Sequence, residues 1–89
     1  MEKRIGTALI VVEDNREVSR INQILSTFAH IIVGRQGIPF REKGISIISL
    51  VLDGTTDEIG ALTGQIGRLH GIEIKSVLIK NKDRQNETS

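Results

Sequence analysis

Two apolar runs constrain this chain more than any other feature. Ile5–Val12 (IGTALIVV), in its second half, and Ile45–Leu52 (ISIISLVL), interrupted only by Ser46 and Ser49, are apolar on both alternating sets, the pattern of strands covered on two faces. Each run is followed by an acidic turn with a helix-start signal and then by an amphipathic stretch. Val18, Ile21, Leu25 and Phe28 recur at the same spacing as Ile59, Leu62, Ile66 and Leu69. The chain is thus a repeat of two βαβ halves. At 89 residues it is one small domain, whose own core leaves a thin stability margin.

Each half contains its own start and stop signals. Asp14 with Glu17 caps a helix running from Asn15 to about Ala29, whose stripe of Val18, Ile21, Ile24, Leu25 and Phe28 turns inward. His30–Gln36 reads as a second strand. Gly37–Gly44 connects it to Ile45–Leu52, with Pro39 in the loop or at a hairpin end because it lacks an N–H. That connection is too short for a crossover helix, so strands two and three are antiparallel. Thr55 and Glu58 form a capping box for a helix ending at His70-Gly71. Ile72–Lys80 is an edge strand carrying charge, and Asn81–Ser89 is a polar tail expected to fray. Right-handed crossovers then give an α+β, ferredoxin-like βαββαβ fold over residues 1–80, with sheet order 4-1-3-2 and both helices on one face.

Two helices on one face leave the other face of strands one and three unprotected, although both alternating sets are apolar. A second copy of the chain is the expected cover, making a homo-oligomer, dimer or tetramer, joined through the open sheet face. Gly60, Gly64 and Gly67, at i, i+4 and i+7 of the second helix, form a strip expected to pack closely against the first helix or a neighbouring protomer. In a helix interior each costs about 1 kcal/mol against alanine.

Composition narrows the function mostly by exclusion. With no cysteine there is no disulfide, thiolate metal site or thiol nucleophile, and a charged start without a signal-peptide core points to the cytoplasm. A net charge of +1 leaves no footprint of nucleic acid or acidic membrane, and no segment is long enough to span a bilayer. His30 and His70 fall at opposite ends of the sheet and cannot share a metal. No Ser/His/Asp set or carboxylate pair converges, so neither enzyme activity nor a cofactor is expected. Base-stacking aromatics are absent from strands one and three, since Phe28 and Phe40 lie elsewhere. The remaining site hypothesis is an anion or carboxylate effector held by Arg35, Arg41 and Lys43 around the hairpin loop, beside the Asp14 and Arg16 turn. The plainer alternative is a set of solvated loop charges paired with Asp14, Glu17 and Glu42.

The stretches VGRQGIPFREKGIS and LDGTTDEIGALTGQIGRL, with IGTALIVVEDNREVSRINQIL in the first half, resemble the family of iron-only hydrogenase system regulators. The resemblance spans nearly the whole chain except its polar tail. It implies an oligomeric ACT-like domain, related to the effector domain of nickel-responsive repressors, that regulates or helps assemble iron-only hydrogenase. Amino-acid-binding ACT domains place a glycine after strand one, which EDNREVSRI lacks. The histidine cluster, cysteine and DNA-binding segment of the nickel repressors are also missing, so direct DNA binding is not expected. Two roles follow: a regulatory domain with a small effector at a protomer interface, or an oligomeric scaffold that docks a hydrogenase maturation protein without a small ligand.

Overall fold

The computed structural model describes residues 2–79. Six main elements follow one another: β1 (Arg4–Val12), α1 (Val18–Thr27), β2 (Ile32–Phe40), β3 (Ile45–Gly54), α2 (Thr56–Gly67) and β4 (Ile72–Leu78). Short 3-10 turns at Asn15–Glu17, Ala29–Ile31 and Arg41–Lys43 link them. The sheet is antiparallel throughout and ordered β2-β3-β1-β4, which from the opposite edge is 4-1-3-2. The two most apolar strands are the central ones because only central strands must satisfy neighbours on both sides. The polar tail, Asn81–Ser89, and Lys80 lie outside the described residues.

Local signals set the helix boundaries. The Asp14 side chain accepts from the Arg16 N–H and opens a 3-10 turn that runs into α1. Thr55 Oγ1 accepts from the Glu58 N–H at 3.1 Å while Glu58 Oε1 accepts from the Thr55 N–H at 2.9 Å, a complete capping box at the start of α2. The expected end of α2 at His70-Gly71 is three residues late, since Gly67 closes the helix. Gly71 instead turns the chain into β4 at φ 73°, where a Cβ would also stand 2.6 Å from that of Asp14. Both the left-handed backbone and the close approach demand glycine there. The Glu13 N–H donates to the Gly71 carbonyl at 2.9 Å, tying the two crossover turns together at one end of the sheet.

The second strand differs most from expectation. His30 belongs to a 3-10 turn rather than to β2, and β2 runs on through Pro39 to Phe40, leaving only Arg41–Gly44 as the hairpin turn. An edge strand tolerates Pro39 because an N–H pointing away from β3 has no ladder partner to lose. Ile32 faces Leu52 and Gly34 faces Val51, so Val33 is an extra residue, a β-bulge. In β3, Leu50 and Leu52 face the helices and Val51 faces away. Before the bulge Ile32 therefore points to the helix side, and after it the helix side takes Arg35, Gly37 and Pro39 while Gln36, Ile38 and Phe40 take the other.

One core lies between sheet and helices: Ala8, Ile10 and Val12 of β1 and Leu50 and Leu52 of β3 meet Ile21, Leu25, Ile59, Leu62 and Ile66, with Phe28 and Ile31 closing the α1 end. The repeat forecast most of these positions, although Val18 is exposed at the first turn of α1 and Leu69 only half-buried. The glycine strip does not do what its spacing suggested within the protomer. A Cβ on Gly60 or Gly64 would meet nothing within 4 Å, and one on Gly67 only Ile74 at an ordinary 3.5 Å. The strip lies beside the buried Ile59, Leu62 and Ile66 stripe, off the line of contact with α1.

Candidate functional site

The anion-site residues separate into three places. Asp14 and Arg16 pair with each other: Nε and Nη2 of Arg16 donate to the two carboxylate oxygens of Asp14 at 3.0 and 2.8 Å. Arg16, first through its side chain and then through its backbone N–H, holds the Asp14 carboxyl down to about 2. That two-pronged edge of Arg16 is therefore already occupied by an internal carboxylate. Arg41 and Lys43 lie exposed on the hairpin turn, in no ion pair among the described residues.

Arg35 is not at the hairpin turn. It faces Leu50, four residues along β3 from the Ser46 row where β1 ends, which is about 13 Å at the rise of a strand. The Val33 bulge turns it to the helix side, where Nη2 donates to Asn22 Oδ1 of α1 at 3.3 Å. No carboxylate pairs with it among the described residues. The expected grouping of Arg35 with Arg41 and Lys43 assumed a loop beginning at Gly37; the strand's extension to Phe40 carries the two groups apart.

Arg35 instead stands at the lip of a groove that sequence reasoning did not find. The groove, roughly 300 Å3, runs between α1 and the bulged start of β2 and is lined by Leu25, Ser26, Ala29, Ile32, Val33, Gly34 and Arg35. Its sequence signal is faint: the run Ile31-Ile32-Val33-Gly34 breaks strict alternation where the bulge forms. The opposite sheet face is the larger feature. Ile5, Leu9, Ile38, Phe40, Val51, Val77 and Ile79 are all exposed, and the strand pairing places the first six on that one face. Glu73 and Lys75 of β4 and Ser49 of β3 interrupt it.

At the far end, His30 Nε2 and Glu58 Oε2 are 3.2 Å apart, an exposed contact made by the oxygen that the capping box leaves over. The Thr55 N–H first, and His30 among the lesser causes, hold the Glu58 carboxyl below its ordinary range. His70 lies at the other end, near Asp14, as the topology required. Among the described residues no three His, Asp or Glu side chains gather as a metal would need, and no helix is long and apolar enough to cross a membrane.

Residues 4–76, nearly all of β1 through β4, match the family described as "TM1266-like: Iron-only hydrogenase system regulator, putative". The chain belongs to this family. The structure of TM1266 from Thermotoga maritima, described as uncharacterized, is similar at a TM-score of 0.83 and 42% identity, covering 89% of this chain and 100% of that one. The de novo designed protein Foldit4 shares the fold alone, at a TM-score of 0.56 and 12% identity over 91% of this chain and all of its own. No match is found among curated proteins. The match to the TM1266-like family takes in the β2–β3 hairpin and the groove, and stops inside β4.

Proposed function

We propose that this member of the TM1266-like family is a non-catalytic, cytoplasmic regulatory module of the iron-only hydrogenase system, working as a homo-oligomer joined through the open sheet face and responding to a small effector. The observation that carries the self-association is the exposure of Ile5, Leu9, Ile38, Phe40, Val51 and Val77 together on one sheet face. Each Å2 of apolar surface withdrawn from water contributes about 25 cal/mol, so a face built of four strands offsets much of the entropy lost on association. A closed two-fold puts the face against itself, and β4 contributes both Glu73 and Lys75, opposite charges that such an arrangement can pair across the contact.

The regulatory reading draws on the family's description and on three cations without an ion pair among the described residues, Arg35 beside α1 and, apart from it, Arg41 and Lys43 on the hairpin turn. Sedimentation velocity at micromolar concentration tests the assembly: the native chain is expected to run as a dimer or tetramer. Leu9→Lys, at the centre of the open face, is expected to give a folded monomer by sedimentation and circular dichroism. A native monomer, or an unaltered oligomer of the variant, would remove this interface.

A further inference from the structure

We infer that the groove between α1 and β2 is a binding site for a small aliphatic monocarboxylate, with Arg35 holding the carboxylate and the apolar lining taking the tail. This deepens the effector reading above and rests on it. Leu25, Ala29, Ile32 and Val33 supply a hydrocarbon surface, and Ser26 offers a hydroxyl beside it. At the lip, the Arg35 guanidinium is steadied by Asn22 Oδ1 at 3.3 Å, and no carboxylate among the described residues neutralises it. An arginine oriented by a neutral amide keeps its full charge for an incoming acid, and its planar fork matches a carboxylate.

The groove also says what the ligand is not. Its lining contains no Asp or Glu, so an α-ammonium group would enter beside the Arg35 cation with no carboxylate to balance its charge. A simple or 2-oxo acid fits where the corresponding amino acid does not. The volume, roughly 300 Å3, is at the small end for such sites, which suits a small ligand with a short apolar tail. The Val33 bulge is what builds the site, since it brings Arg35 round to the same side as Leu25 and Ser26.

The test uses the full chain, labelled for NMR, titrated with 4-methylpentanoate, 4-methyl-1-pentanol and leucine. Saturable shifts at Leu25, Ala29, Ile32, Val33 and Arg35 are expected with 4-methylpentanoate, and at least tenfold weaker binding with the alcohol and with leucine. Arg35→Gln, on an exposed position, should weaken the acid at least tenfold while leaving the alcohol unchanged. Ala29→Leu, which fills the groove from an exposed position, should weaken both. Absent or unsaturable shifts, shifts mapping elsewhere, or equal affinities for acid, alcohol and leucine would overturn the inference. Sedimentation of the same sample reads the assembly independently, so an empty groove in an intact oligomer removes this site without removing the regulatory module.

Discussion

In the two central strands, large apolar side chains point to both faces of the sheet and meet opposite fates. Leu50 and Val51 are neighbours in β3, yet Leu50 is 0% exposed and Val51 46%. Ile10 and Leu9 in β1 repeat the contrast at 0% and 47%. Two helices close over one face, and the large apolar side chains of the other stay uncovered within the protomer. Hydrophobicity of a strand residue therefore does not state which partner it is for. The helix stripes decide that, because Ile21, Leu25, Ile59, Leu62 and Ile66 can close over only one alternating set.

The most direct way to break this comparison is to truncate both neighbours. Leu50→Ala should destabilise the fold by about 2–5 kcal/mol, the cost of a cavity in a packed core. Val51→Ala should cost less than about 1 kcal/mol in the dissociated protomer, where the side chain is already half in water. Urea denaturation at several protein concentrations separates the two. A Val51→Ala penalty that grows with concentration marks the open face as the interface, and a full-sized penalty at high dilution would mean the protomer itself buries that face.

A smaller effect sharpens the comparison from the outside of the helix layer. Gly64 has open space where a Cβ would go, so Gly64→Ala should raise stability by about 1 kcal/mol, measured by thermal or urea unfolding. A loss of stability together with weakened self-association would show that a second protomer covers the helices as well as the sheet. The smallest effect lies at the crossover turns. The folded Asp14 carboxyl titrates near 2, below its ordinary value of 3.8, so its stabilising contribution is present above about pH 4 and lost as pH falls towards 2. Asp14→Asn should flatten that part of the stability–pH curve, and the Asp14 carboxyl resonance should titrate near pH 2 by NMR. A midpoint near 3.8 would mean the Arg16 fork is not closed in solution.

Much of the fold was legible because its determinants are local or repeated. Thr55 and Glu58 name their capping box three residues apart, and the recurrence of the Ile21 and Leu25 spacing in Leu62 and Ile66 implies two equivalent halves. The choice of covered face was not legible, since Leu9 and Ile10 are equally apolar and only the packed helices distinguish them. The candidate site was less legible still. The sequence places Arg35 next to the hairpin loop because Gly37 and Pro39 resemble the end of a strand, but an edge strand accepts both. The glycine strip failed as a guide within the protomer because spacing describes which residues share a line and not what approaches it.

The Val33 bulge gives β2 a shifted reading frame. Up to residue 32 the strand is read in one phase, and from Gly34 onward in the other, so a single extra residue decides the sidedness of everything to Phe40. In the unshifted frame Arg35 would lie on the exposed sheet face, and Ile38 and Phe40 would leave it. Groove and docking face are thus set by the same one-residue offset. Because the bulge absorbs Val33 as the extra residue, deletion of Val33 should leave Ile32 and Gly34 in plain alternation with Arg35, Ile38 and Phe40 on the sides they now take, whereas deletion of Gln36 should carry Ile38 and Phe40 off the open face.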